Sequence, residues 1–263
     1  MEEIKVGTGG FVRLVDTMPQ DNLDTAIVQA ARVSYAGGTT VTRSDEGLIR
    51  YLLRHWHNTP FEMVEFKFHI KMPIYIARQH LRHRTASVNE LSGRYSVMPT
   101  EFFTPDEFRK QSQTNKQSSE GVLEGVDPSK ISDHCDESFS LYNELLDAGC
   151  CRELARAHLP LSTYTEFYWK INLHNLMHYL QLRMEAGAQK EIQDYATAIY
   201  QLVKDKVPHT MKAFSDFRLN SIQLSGVEVE CLNTKTLPKS PGEKREFLSK
   251  LKKLGLENYI TIE

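Results

Sequence analysis

Residues 64–95, VEFKFHIKMPIYIARQHLRHRTASVNELSGRY, decide the fold and concentrate the chemistry. Val64, Phe66, Phe68, Ile70 and Met72 alternate with Glu65, Lys67, His69 and Lys71, the pattern of a strand with one buried face. His69 falls on the polar side and is expected to be solvated. Pro73 then opens a helix through Leu81, because proline suits a first helical turn. At 3.6 residues per turn, Ile74, Ala77 and Leu81 share the buried face, with Arg78, Gln79 and Arg82 beside it. The helix delivers guanidinium groups to a loop, Arg82 to Tyr95, that carries three arginines, a histidine, a carboxylate, an amide and two serines but no lysine. Guanidinium forks, serine hydroxyls and a loop N–H beside Gly93 suit a phosphate or carboxylate. A solvated basic face paired to Glu90 is the plainer account. Such a face takes lysine as readily as arginine, so the composition favours an anion site.

Outward from this stretch, 263 residues allow one large domain or two small ones with a substantial core. The net charge of −2 argues against a general nucleic-acid binder, so the arginine cluster is local. No apolar run approaches a membrane span, and Met1-Glu2-Glu3 is unlike a signal peptide. A soluble, cytoplasmic protein is the expectation. Cys135, Cys150, Cys151 and Cys231 are too few and too irregular for a disulfide framework or a metal knuckle.

In chain order, Phe11 to Asp16 reads as a first strand. A helix follows over Asp24–Tyr35, closed by Gly37-Gly38. A second runs over Asp45–His55, with Leu48, Ile49, Leu52, Leu53 and Trp56 as its apolar stripe. His57 and Thr59 sit at the corner where Pro60 stops it. Thr104 to Asp133 is polar and interrupted by Pro105 and Pro128, and reads as a long mobile loop. Asp136–Ala148 is an amphipathic helix. Arg152 to Arg156 opens another, where Arg156 is spaced to pair with Glu153. Tyr164–Ile171 reads as a strand, Asn172 as the cap of the next helix, and Ala188–Lys206 as a long helix ended by Pro208. In the tail, Ser240-Pro241-Gly242-Glu243 starts one short amphipathic helix that closes at Gly255.

His174 and His178 share a helical face and invite a zinc reading. The intervening Asn175, Leu176 and Met177 lack the glutamate of H-E-x-x-H, and no third ligand is evident, so no metal is expected. Arg183, at the end of the same helix, has a bland explanation in the helix dipole.

The pattern R-H-R-x-x-S-x-N-x-x-S-x-R, met by Arg82, His83, Arg84, Ser87, Asn89, Ser92 and Arg94, resembles the signature of flavin-dependent thymidylate synthases. Further fragments agree in order: the corner His57 to Glu62 (with Met63 where family members often have histidine), Arg152-Glu153 with Ala155-Arg156, Asn172-Leu173-His174 with His178, and Arg183 followed by Ala188-Gln189 and Glu191-Ile192. The resemblance runs roughly from Phe11 to Phe217 and leaves the tail uncovered. It implies an α+β fold with a central, mostly antiparallel sheet flanked by long helices. One domain over 1–220 would form the protomer of a homotetramer, with active sites shared between subunits and 221–263 as an appended tail.

The implied reaction is the reductive methylation of dUMP to dTMP, with tightly bound FAD, NADPH as reductant and 5,10-methylenetetrahydrofolate as carbon donor. The resemblance places Gln79, Arg82, Glu90, Leu91, Ser92, Gly93, Arg94 and Arg156 on the nucleotide, with Arg183 against the uracil ring as the catalytic residue. It places His57, Thr59, Arg82, His83, Arg84, Glu90, Asn172, His174 and His178 on the flavin. No protein nucleophile is required. Two other classes remain open from the residues alone: an RNA- or nucleotide-binding module that clamps a backbone, and a metal-dependent phosphohydrolase using His174 and His178. Neither accounts for all the ordered fragments together.

Overall fold

The computed structural model describes residues 2–34, 44–113 and 117–260. It divides into two compact units, Met1–Ser215 and Asp216–Glu263.

The larger unit is built on strands β1 (Glu2–Val6), β2 (Gly10–Met18), β3 (Glu65–Pro73), β4 (Ser87–Glu90) and β7 (Tyr164–Asn172), with β5 (Arg109–Gln111) and β6 (Ser119–Val122) forming a separate ribbon. The main sheet has the order β1-β2-β3-β7-β4, and every neighbouring pair is antiparallel. The helices of this unit are α1 (Leu23–Arg32), α2 (Asp45–Arg54), α3 (Thr59–Glu62), α4 (Ile74–His80), α5 (Ser129–Asp147), α6 (Arg152–Ala155), α7 (Leu173–Arg183), α8 (Lys190–Lys204) and α9 (Pro208–Phe214). The fold is α+β, with an antiparallel sheet. No helix among the described residues is long and apolar enough to cross a membrane.

The alternation in β3 does what the sequence predicts. Phe66, Phe68, Ile70 and Met72 are completely buried, and Phe68 lies opposite Trp169 of β7. Helices α4 and α7 pack against these strands, and α8 packs against β1 and β2. The opposite face is polar yet not simply solvated. Arg13 Nη1 donates to His69 Nδ1 at 3.1 Å, His69 Nε2 donates to Glu166 at 2.9 Å, and Tyr168 stacks on the imidazole at 4.9 Å. His69 is therefore bonded and largely covered, not solvated, because its cross-strand neighbours close over it.

Several other expectations change. β1 is an exposed edge strand whose Glu2-Glu3-Ile4-Lys5-Val6 shows no clean alternation to detect. The first helix ends at Arg32; Tyr35, Gly37 and Gly38 lie outside the described residues. Trp56 is 58% exposed with φ +60°, so it leaves the apolar stripe of α2 at the turn that ends the helix. Helix α4 buries Ile76, Ala77 and His80 instead of Ile74, Ala77 and Leu81; Ile74 and Leu81 are only partly buried. The 104–133 segment is not one long loop: it holds the β5–β6 ribbon and the start of α5 at Ser129. A two-stranded ribbon with no buried face gives no apolar period to read.

In the smaller unit, α10 (Gly226–Thr234) and α11 (Pro241–Lys253) share a core of Cys231, Phe247, Leu251 and Ile260. The sequence predicts one helix and a capping box at Ser240. The box forms instead at Ser225, whose hydroxyl accepts from Glu228 N while Glu228 accepts from Ser225 N. Ser240 stands at the N-cap of α11 with no side-chain bond.

Asp24 ties α1 to the N-terminus of α9. The buried carboxylate accepts from His209 N at 2.8 Å, Thr210 N at 3.2 Å and Thr210 Oγ1 at 2.6 Å. Asp24→Ala strands these donors and removes a charge from a helix N-terminus, for an expected loss of about 3 kcal/mol. Urea unfolding checks this; a change under about 0.5 kcal/mol, the size of an ordinary surface substitution, would contradict it.

Candidate active site

The site is assembled where α4 and α7 end. Asn172 caps α7 as predicted, its side-chain oxygen accepting from Asn175 N at 2.9 Å. The cap sets the start of a helix whose buried face is Leu173, Leu176, Met177, Tyr179 and Leu180. Beneath the site, His80 Nδ1 and the Tyr179 hydroxyl share a 2.9 Å hydrogen bond, with Trp169 edge-on to His80 at 4.3 Å between centroids. Neither His80 nor Tyr179 belongs to a motif that the sequence makes evident. The spacing of Ile76 and His80, four apart on one helical face, would have flagged the histidine once that face was known to be inward.

His83 rests on this support, its ring 4.9 Å from Tyr179 and 5.8 Å from His178. Arg183, the last residue of α7, donates Nε–H to His83 Nε2 at 3.0 Å. That bond requires a neutral imidazole protonated on Nδ1. Burial, followed by the charges of Arg183 and His178, lowers the His83 pKa to about 4. Burial, with His83 and Arg183 next, lowers that of His80 to about 3. Both rings are thus neutral at any physiological pH. The group presents hydrogen-bonding groups and one fixed cation, Arg183.

The second cluster lies along the chain from β4. Glu90 accepts from Thr165 Oγ1 at 2.7 Å, and Leu91 N donates to Glu166 O at 2.8 Å. Thus Glu90 is not paired with the arginines of its own loop. Ser92 Oγ accepts from Arg94 N at 3.3 Å, which folds the turn that carries Gly93. Gly93 is buried, and a Cβ there would stand 2.9 Å from Met98 Sδ and 3.1 Å from Arg156 Cδ. The stem of Arg156 is therefore laid against this turn within one chain. Glu153 pairs with Arg94 at 3.2 Å, not with Arg156. The Arg156 stem lies instead against the Gly93 turn, and Glu153 is taken by Arg94.

The arginines divide by partnership. Arg78, Arg82 and Arg84 are exposed, and none has a carboxylate partner among the described residues. Three adjacent unneutralised guanidinium groups, with Arg94 held by one half-exposed glutamate, suit a ligand that carries phosphate charge. Gln79 adds a buried side-chain oxygen with no partner. His57 stacks near Tyr51 at 5.9 Å, and Thr59 is the first residue of α3; the link of this corner to the other residues is the packing of α3 on α7. Among the described residues no group of three or more His, Cys, Asp or Glu is arranged to hold a metal ion.

The Gly93 cradle carries a direct consequence. Gly93→Ala must displace Met98 or the Arg156 stem, costing about 1–2 kcal/mol of stability and loosening Arg156. Thermal unfolding with phosphate titration reads both; unchanged stability and unchanged anion affinity would show the cradle to be slack.

Known proteins are similar to this chain in sequence and fold. Residues 13–209 match the family model described as thymidylate synthase complementing protein. A flavin-dependent thymidylate synthase of Dictyostelium discoideum is 51% identical over 255 residues, spanning 93% of this chain and 84% of its own. One from Treponema denticola is 45% identical over 256 residues and spans 95% of each chain. The family model ends at residue 209, short of the 221–263 tail, whereas the Treponema denticola match extends into it. A crystal structure of a UMP/dUMP methylase from Streptomyces cacaoi bound with 5-Br dUMP is 33% identical and superposes with a TM-score of 0.72, over 82% of this chain and 99% of that one. With the arginine signature, the fold and these matches in agreement, the chain belongs to the flavin-dependent thymidylate synthase family.

Proposed function

We propose that this protein converts dUMP to dTMP in the cytoplasm, using FAD, NADPH and 5,10-methylenetetrahydrofolate, as a homotetramer whose active sites are shared between subunits. The observation that carries the reading is the placement of Arg183 against a neutral His83, close along the chain to Arg82 and Arg84, which have no carboxylate partner among the described residues. The residues fit a flavin dinucleotide by their chemistry: exposed cations for its pyrophosphate and imidazole rings, the neutral His83 among them, for its ring system and ribityl oxygens. When bound, FAD supplies the redox chemistry, taking hydride from NADPH for delivery to carbon.

In this reading Arg82, Ser92, Arg94 and Arg156 hold the nucleotide phosphate, with the backbone of Leu91 and Gly93 and the side chains of Gln79 and Glu90 fixing the rest of dUMP. Arg183 sets its guanidinium against the uracil. A fixed cation there lowers the cost of negative charge on N3 and the adjoining carbonyls and so makes C5 more nucleophilic. The bond from Arg183 Nε to His83 leaves its terminal nitrogens for the ring. His57, Thr59, Arg82, His83, Arg84, Glu90, Asn172, His174 and His178 serve the flavin. The Asn172 oxygen already caps α7, so its amide N–H groups are what it offers. Ser92 has no base beside it in the hydrogen-bond pattern and acts as a phosphate ligand, not as a nucleophile. The exposure of Arg94 and of the His57–Thr59 corner supports a site completed by a second copy of the chain.

Purified protein is expected to show a flavin band that NADPH bleaches in the presence of dUMP, and to form dTMP when the folate is added. Arg183→Ala should keep the band while lowering turnover about 100-fold or more, the scale of losing a preorganised charge donor. A colourless protein that takes up no FAD would overturn the reading.

A further inference from the structure

Arg109 of β5 and Ser118, which precedes β6, reach toward the loop that adjoins Arg183 and the start of α8. Residues 184–189 connect Arg183 to α8, and their bonds come from two sides. From α8, Gln193 Nε2 donates to Ala188 O at 2.6 Å, and Glu191 Oε2 accepts from Gln189 Nε2 at 2.9 Å. From the ribbon, Ser118 Oγ donates to Gly187 O at 3.3 Å, and Arg109 Nη2 donates to Glu191 Oε1 at 2.6 Å. Arg109 is itself fixed across the ribbon, its Nε donating to Ser119 Oγ at 2.9 Å.

The Glu191 side chain is only 12% exposed and that of Arg109 29%, so this pair is shielded more than a surface salt bridge. Burial acts to raise the Glu191 pKa, but the hydrogen bonds from Arg109, its own backbone and Gln189 overcome it and hold the carboxyl below its usual range. A shielded charge pair with every partner in place has one good geometry, and removing one member leaves the other uncompensated.

We propose that the β5–β6 ribbon is a positioning element for Arg183. Arg109, acting through Glu191 and Gln189, and Ser118, acting on the Gly187 carbonyl, hold residues 184–189 in the conformation that keeps Arg183 against His83. Neither residue touches the reacting groups, and the inference rests on the reading that Arg183 faces the nucleotide. The ribbon is then neither a passive insertion nor a lid: it acts as a brace on the loop that leaves the catalytic helix.

Arg109→Met, which keeps the length of the side chain but not its charge, tests this in the flavin-loaded protein. Amide hydrogen exchange across 184–189 should speed up about tenfold or more, and the Kd for dUMP should rise about tenfold, equal to 1.4 kcal/mol. Flavin content should stay unchanged. Arg109→Lys should fall between, and Arg109→Met combined with Glu191→Gln should cost less than the sum of the two. Should Arg109→Met fail to fold, Ser118→Ala gives the same exchange readout with a smaller change. Exchange and dUMP affinity both within twofold of the parent in a folded Arg109→Met or Ser118→Ala protein overturn the brace. A parent protein that takes no flavin overturns the proposed function instead, and leaves the exchange experiment to decide the brace by itself.

Discussion

One hydrogen bond, from Arg183 Nε to His83 Nε2, is the constraint around which the site is arranged. It exists only while His83 is neutral, because a protonated imidazole would offer a second donor and a second positive charge to a guanidinium. The fold secures neutrality by burial and by surrounding His83 with Arg183 and His178. It secures position with a buried stack beneath it, in which Trp169, His80 and Tyr179 meet edge to face and His80 and Tyr179 share a hydrogen bond. Trp169 comes from the sheet, His80 from α4 and Tyr179 from α7. The alternation of β3 and β7 thereby determines where Arg183 sits, since those strands present the surface on which both helices pack.

Charge is handled differently on the two sides of this framework. On the outer face of the sheet, Arg13 meets Glu3, Lys170 meets Glu65 and Lys71 meets Glu101, and Lys67 lies over the Tyr168 ring. Such exposed pairs contribute little stability each, but they leave no concentrated field. At the end of α4, Arg78, Arg82 and Arg84 stand close in sequence without such partners among the described residues. The difference separates a solvated polar face from an anion site more clearly than composition does. It also answers the simpler account of the arginine stretch, because Glu90 is bonded to Thr165 and is not their counter-ion.

Legibility in the sequence followed how local each signal is. β3 and β7 were readable because a half-buried strand writes its face into alternate residues, and α7 because Asn172 has the chemistry of a cap. The arginine signature identified the family from a short window. Features set by a partner distant in the chain were not readable. His69 looked solvated because nothing near it reveals Arg13 or Glu166 across the sheet. His80 was hidden because the buried face of its helix was assigned to Ile74, Ala77 and Leu81. Glu153 was assigned to Arg156 by spacing and is taken by Arg94, a partner distant in the chain. The β5–β6 ribbon buries almost nothing, so its order comes from contacts with the loop beside α8 that its composition does not encode.

The protonation state of His83 tests the account most directly. Nitrogen-15 NMR of histidine-labelled protein should show His83 with Nδ1 protonated and Nε2 bare from about pH 8 down to about pH 5, well below the midpoint of a free imidazole. Protonation should set in only as the pH falls toward about 4. A titration centred near about 6.5, the ordinary imidazole value, with Nε2 gaining a proton, would show that Arg183 is not held by this bond and would contradict the arrangement on which the site depends.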